Sequence, residues 1–126
     1  MSFSNTFETR VLTWVFTNSS ATRPTAWFVA LYTGAPNDAG GGTEVSGGAY
    51  ARQAVTFSVS GDTATNTGAI EYPTATAGYG TVTHVGIFDA STGGNLIAYA
   101  ALTASKTIDT GDVLRLPAGD LDVTLD

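Results

Sequence analysis

One stretch decides the fold class: WFVALYT (residues 27–33), GAPNDAGGGTEVSGG (34–48) and AYARQAVTFSV (49–59). The first and third segments alternate with a period of two, which is the periodicity of β-strands. Both faces of the first segment are largely apolar, so we predict a central strand that is covered on both sides. The third segment has one apolar and one polar face. The acidic, glycine-rich segment between them predicts a long exposed loop, so this stretch presents a surface and does not assemble a chemical site.

The alternation continues toward the C-terminus, with turn residues separating the runs about every ten residues. Ser60-Gly61-Asp62 is typical of a tight hairpin turn. Further strands are predicted over residues 63–72, 81–89, 95–102, 113–116 and 121–125. We therefore predict an all-β, mainly antiparallel fold, a β-sandwich or jelly-roll-like structure. No linker or fixed-period repeat divides the chain, so residues 1–126 are predicted to form a single domain, with the sandwich over 26–126.

The N-terminal segment, residues 1–25, is predicted to be a short helix followed by a loop. Asn5 and Glu8 form a capping-box pattern ahead of an apolar stripe. This pattern predicts a helix over residues 5–17. The alternation of threonine with valine between Thr9 and Thr17 also fits a strand, and this alternative stays open.

Composition excludes several functional classes. The chain has 5 basic and 11 acidic residues, a net charge of −6 and scattered cations, so no clustered basic face is available for nucleic acid. It has no cysteine, which excludes disulfides and thiolate metal sites. Neither a secretory signal nor an apolar run of membrane-spanning length is present, so we expect no membrane partner.

Residues that could carry catalysis or bind metal are few. His84 is the only histidine, and on a strand it is expected to bond a neighbouring carbonyl and not to act as a general base. The aspartates at the C-terminal end of the chain do not form a calcium-binding loop; they are Asp109, Asp112, Asp120, Asp122 and Asp126. The serines and threonines lack a base that could activate them. We predict no enzyme activity, no catalytic residue, no metal site and no cofactor.

Aromatic side chains leave one binding hypothesis open. Most of them alternate with small residues on predicted strands, where core packing is the default. Tyr50 and Tyr79 stand in loops or at strand ends and are the better candidates for an exposed surface that stacks on sugars.

Two blocks carry a family resemblance: ALYTGAPNDAGGGTEVSGGAYARQAVTF (30–57) and GTVTHVGIFDASTGGNLIAYAALTASKTIDTGD (80–112). They resemble a family of small virion proteins from tailed bacteriophages, usually labelled tail fibre proteins, whose cyanophage relatives look like capsid cement (decoration) proteins. The string from Thr43 to Arg52 is its most specific part. The family often has glycine where this chain has Ala49, and the resemblance does not extend to the Asp-rich ending from Asp120 to Asp126, whose role stays open.

The resemblance implies a structural protein without catalytic role. The expected function is that of a cement protein, seated as a homotrimer, which binds the major capsid protein in the assembled shell and stabilises it. The alternative is a tail fibre or adhesin module that contacts the host surface or other tail proteins. Either protein would be made in the host cytoplasm without a signal peptide and would end on the outer surface of the virion.

Partner contacts are predicted for six residues of the loop and its neighbourhood. Arg52 has two alternatives: its guanidinium pairs with Glu44 across the turn and fixes the loop, or it reaches a partner subunit. The predicted partner-binding residues are Asp38, Thr43, Glu44, Tyr50, Arg52 and Tyr79.

Overall fold

The computed structural model describes residues 1–125. Its one helix in that range is α1 (Asn5–Phe16). The strands are β1 (Ser2–Phe3), β2 (Phe28–Gly34), β3 (Thr43–Glu44), β4 (Gln53–Ala54), β5 (Phe57–Ser60), β6 (Thr63–Asn66), β7 (Ile70–Glu71), β8 (Gly80–Phe88), β9 (Leu96–Ile108), β10 (Arg115–Leu116) and β11 (Asp122–Thr124). All pairings between these strands are antiparallel. The predicted all-β class with a short N-terminal helix is confirmed.

The main sheet has the strand order β1-β9-β8-β2-β3, and β4 also pairs with β2. Strand β2 lies inside this sheet because β8 pairs with one edge while β3 and β4 share the other. Its residues from Val29 to Tyr32 are buried, which confirms the prediction of a central strand covered on both sides.

Two small sheets, β7–β10 and β5–β6–β11, form the second layer of the sandwich. The core between the layers brings together apolar side chains from both of them. The main sheet contributes Val29, Leu31, Val82 and Val85, and the second layer contributes Ile70, Tyr72, Leu114, Leu116 and Leu121. Val29 and Leu31 follow the period-two alternation of a strand, whereas the register shift between Val82 and His84 interrupts this alternation before Val85.

The predicted strand over residues 49–59 is wrong as a single element. Its residues form β4, which belongs to the main sheet, and β5, which belongs to the small sheet. The predicted apolar face does not hold to its end, because Val59 is 74% exposed. The predicted run 63–72 is similarly divided into β6 and β7.

The segment 34–48, predicted as a long exposed loop, is partly packed. Thr43 and Glu44 pair with β2, and Val45 is buried in the core. The peptide groups of Asn37 and Gly40 exchange two hydrogen bonds of 2.7 and 2.9 Å. This segment is therefore held against the main sheet.

Helix α1 confirms the predicted helix and rules out the alternative strand. Its N-cap is Ser4 and not the predicted Asn5, because the Ser4 hydroxyl accepts from the Phe7 amide at 3.4 Å. The same hydroxyl donates to the carbonyl of Leu96 on β9 at 2.5 Å. Serine at this position thus caps the helix and also attaches it to the sheet.

Candidate functional site

The Glu44–Arg52 ion pair is the centre of the candidate site. The Arg52 Nε donates to Glu44 Oε2 at 2.9 Å, and Nη2 donates to Oε1 at 2.8 Å. This bidentate arrangement matches the fork of a guanidinium to a carboxylate. The Arg52 side chain is 9% exposed. Of the two alternatives for Arg52, the pair within the chain is the one present.

Arg52 also fastens the turn between β8 and β9. Its Nη1 donates to the carbonyls of Ala90 and Gly93 at 3.0 and 2.8 Å. The guanidinium carbon lies 3.6 Å from the centroid of the Phe88 ring, which adds a cation–π contact. One side chain therefore connects the segment before β4, the strand β3 and the β8–β9 turn.

Tyr50 completes this cluster from the core side. Its hydroxyl donates to Glu44 Oε2 at 2.6 Å and accepts from the Leu31 amide at 3.0 Å. Its ring stacks on Tyr72 at 6.1 Å and meets the edge of Tyr79 at 5.8 Å. We call Glu44, Tyr50 and Arg52 the central cluster.

The predicted exposure of Tyr50 and Tyr79 is wrong. Tyr79 is 5% exposed and its hydroxyl donates to the carbonyl of Pro73 at 3.2 Å, while Tyr50 is half-buried within the aromatic group. Both rings point into the aromatic group, where Tyr50 stacks on Tyr72 and Tyr79 meets Tyr50 edge-on, because these contacts remove apolar surface from water. Neither ring is available as a flat platform for a sugar.

The charges of the central cluster stabilise one another. Burial alone would raise the pKa of Glu44, but hydrogen bonds from Arg52 and Tyr50 and the guanidinium charge outweigh it, so the pKa lies below its usual value. Hydrogen bonding to Glu44 raises the pKa of Arg52. Burial, followed by the bond to Glu44, raises the pKa of Tyr50. The cluster therefore holds one fixed protonation state at neutral pH.

Asp38 and Thr43 lie beside the central cluster in the segment before β4. The Asp38 carboxylate accepts a hydrogen bond from the Tyr99 hydroxyl on β9. The backbone carbonyl of Asp38 accepts from the Asn5 amide at 2.9 Å. Thr43 is exposed, and its carbonyl accepts from the Thr33 hydroxyl at 3.4 Å. A cleft of about 400 Å³ lies here and is lined by Asp38, Glu44, Arg52 and Asn95, among others.

The structure brings five of the six predicted residues to one side of the molecule. Asp38, Glu44 and Arg52 line the same cleft, Thr43 precedes Glu44 on β3, and Tyr50 bonds Glu44 from behind. Tyr79 lies in the core instead. Their role in partner binding stays a prediction.

The histidine of the chain is not among the residues that line this cleft. His84 lies away from it on β8, where its Nδ1 is 2.8 Å from the Thr83 hydroxyl and not bonded to the expected carbonyl. Within residues 1–125 no group of three or more histidine, cysteine, aspartate or glutamate side chains could hold a metal ion. No helix in this part of the chain has the length and apolarity to cross a membrane.

Sequence reasoning missed the most exposed apolar surface. Helix α1 buries Phe7, yet four large apolar side chains of its C-terminal half lie 53–77% exposed. They are Leu12, Trp14, Val15 and Phe16. The signal was present in the sequence, because these residues occupy more than one face of a helix and a single packed face could not cover them. Exposed apolar clusters of this kind mark protein–protein contacts.

A comparison with models of protein families identifies the family of the chain. Residues 2–124 match the model of the family described as podophage GP4 fiber I protein gp80. The chain belongs to this family. The predicted kinship with tailed-phage virion proteins, often labelled tail fibre proteins, is thereby confirmed, and the chain is a structural phage protein. A comparison with curated proteins finds no match.

Proposed function

We propose that this chain is a non-enzymatic structural subunit of the fibre apparatus of a tailed phage, built as one domain and displayed on the outer surface of the virion. The observation that carries the proposal is family membership over residues 2–124, because the family is described as a fibre protein. The exposed apolar half of α1 supports it, since a subunit held by protein contacts needs such a surface.

The central cluster supports an architectural role. Arg52 uses donors on three of its nitrogens within the chain, and the Glu44 carboxylate is held by three hydrogen bonds. Groups that are engaged in this way fix loop geometry and are not free to bind or activate a substrate. The segment 34–52 thus presents a shaped and rigid face to its neighbours.

A capsid cement protein is the second candidate. It is favoured by the resemblance to cyanophage cement proteins and by the exposed end of α1, which could grip neighbouring subunits of a shell. A cement protein, as a homotrimer on the major capsid protein, would stabilise the assembled state by mass action. A glycan-binding adhesin is not proposed, because Tyr50 and Tyr79 turn inward.

Localisation on the particle separates these candidates. We would purify phage that carries this protein, separate heads from tails, and probe both fractions with an antibody to the chain. The major capsid protein and a tail-tube protein serve as markers of the fractions. Signal in the tail fraction alone supports the fibre subunit. Signal in the head fraction alone overturns it and supports the cement protein, and absence from the purified particle contradicts both.

A further inference from the structure

One exposed apolar surface is a groove between α1 and the loop that follows it. This groove of about 410 Å³ is lined by Phe7, Arg10, Val11, Trp14, Ala21, Thr22, Arg23 and Pro24. Arg10 holds its two sides together, because Nη1 donates to the Thr22 carbonyl at 3.2 Å while the guanidinium carbon lies 4.6 Å from the Phe7 ring centroid. Trp14 is 71% exposed, so the apolar floor is open. We call this surface the helix groove.

A second exposed apolar surface lies at the end of the β5–β6–β11 sheet. Val59 and Val123 lie on opposite sides of Ala64 in the sheet register, so they share a face. Leu125 follows Val123 by two positions, and its amide continues the ladder by donating to the carbonyl of Asp62 at 2.8 Å. Val59 and Leu125 are mostly exposed. We call Val59, Asp62 and Leu125 the sheet tip.

Both surfaces extend the same core. Phe7 of α1 belongs to a buried cluster against which Phe57 of β5 and Val123 of β11 are packed. Val59 comes two residues after Phe57, and Leu125 comes two residues after Val123, so each extends the same strand face into solvent. Permanent subunit interfaces are apolar like a domain core, so a core that continues into exposed apolar side chains is typical of such an interface.

The charges of the two surfaces are opposite. Within residues 1–125, Glu44–Arg52 is the one ion pair, so Arg10, Arg23 and Asp62 have no opposite charge bound in this part of the chain. The helix groove has two cations at its rim, whereas the sheet tip has the acidic Asp62. A second copy of the chain supplies the complement of each surface.

We propose that the sheet tip of one copy inserts into the helix groove of the next, with Val59 and Leu125 against Trp14 and Asp62 facing Arg23. The two surfaces differ, so the contact is head-to-tail, and repeated copies form a ring where the rotation between them closes and a filament where it does not. This inference rests on the proposed function only in that both treat the chain as a subunit of an assembly. It names the partner as another copy and leaves Leu12, Val15 and Phe16 for other virion proteins.

A charge exchange tests the contact on the purified full chain by sedimentation equilibrium. Arg23→Asp and Asp62→Arg are each expected to weaken self-association about tenfold, because each places like charges opposite one another. Their combination in one chain is expected to restore it. Lys106→Asp is the matched control for Arg23→Asp, since it makes the same change in net charge on exposed β9 and should leave association unchanged. Circular dichroism checks that every variant is folded.

Three results would each overturn the proposal. The wild-type chain stays monomeric, both single variants associate like Lys106→Asp, or the double variant fails to recover association. Each of them leaves the proposed function standing if the protein is found in the tail fraction. Conversely, a chain that associates through these residues but is absent from the particle overturns the proposed function alone.

Discussion

Ala49 is the one non-glycine residue with positive φ among residues 1–125, at 69°. It follows Gly47 and Gly48, whose φ values are 76° and 62°, so the chain turns sharply just before Tyr50. Left-handed backbone costs a residue with a Cβ about 1–2 kcal/mol. We therefore expect Ala49→Gly to raise the free energy of unfolding by about 0.5–1 kcal/mol, after the added entropy of the unfolded chain is subtracted. Denaturant unfolding measures this change.

Two neighbouring substitutions serve as controls for Ala49→Gly. A Cβ on Gly48 would lie 2.5 Å from the Ala77 carbonyl oxygen, whereas a Cβ on Gly47 would meet nothing within 4 Å. Gly47→Ala should thus lower the free energy of unfolding by about 1 kcal/mol, because only the left-handed backbone opposes it. Gly48→Ala should lower it by more. A loss of stability in Ala49→Gly would show that the turn is not strained.

Arg52 is expected to be the most sensitive residue of the central cluster. Arg52→Ala leaves the Glu44 carboxylate without its cation, and we expect a loss of about 3 kcal/mol. Arg52→Lys keeps the charge but cannot form the fork, so about 1–2 kcal/mol should be lost. Such a loss follows from the pair inside the chain and is not a sign of an interface.

Equilibrium unfolding of the two Arg52 variants measures these losses. Arg115→Ala is the matched control, because Arg115 is exposed on β10 and its removal should change stability by less than about 0.5 kcal/mol. Equal losses in Arg52→Ala and Arg115→Ala would contradict the central role of the pair.

At the scale of elements, α1 depends on Ser4 and not on Asn5. Ser4→Ala removes the cap of the helix and leaves the Leu96 carbonyl without its donor, so we expect a loss of about 1–2 kcal/mol. Asn5→Ala is the control and should be nearly neutral, because Asn5 is exposed and the cap lies one residue before it. Thermal unfolding compares the two variants, and a larger effect at Asn5 would restore the capping box predicted from sequence.

The sequence predicts strands well where one alternating run keeps the same partners. The predicted runs 27–33 and 81–89 differ from β2 and β8 by a single residue at each end. Residues 49–59 alternate equally well but change sheets. The Val55 amide donates to the Trp27 carbonyl in the direction of the main sheet, whereas the Thr56 carbonyl accepts from Thr67 in the small sheet. Side-chain alternation continues through such a change and cannot reveal it.

The candidate site was only partly predictable for a similar reason. The spacing of Glu44 and Arg52 across a glycine turn suggested their ion pair, because the turn brings them close along the chain. The inward orientation of Tyr50 depends on Tyr72, which comes from a separate segment. Apolar residues on more than one face of α1 indicated that some of them stay exposed, but which of them do depends on how little of the helix the sheet covers, and a helical pattern does not contain that.

At the scale of the whole molecule, acid should weaken the fold through carboxylates whose pKa is lowered. Despite opposing effects of burial, Arg52 and Tyr50 hold the pKa of Glu44 below 4.5, and Asn95 holds that of Asp89 below 3.8. A lowered folded pKa contributes stability above the unfolded value and loses it as pH falls through the folded value. Denaturant unfolding at decreasing pH should show this loss, and Glu44→Gln should make the acid limb shallower. If stability falls with pH as steeply in Glu44→Gln as in the wild type, the acid sensitivity comes from other carboxylates.

Alkali should unfold the protein through its tyrosines, all five of which have a pKa above the ordinary 10.0. Burial is the main cause for four of them, while for Tyr99 it is the hydrogen bond to Asp38. A raised folded pKa leaves stability intact below the unfolded value and removes it as pH rises beyond that value, because only the unfolded chain then releases its phenolic protons. We expect phenolate absorbance to stay low near pH 10 in the folded protein and to rise together with the loss of circular dichroism. Independent titration of several tyrosines near pH 10 in a folded chain would contradict the packed aromatic group around Tyr50.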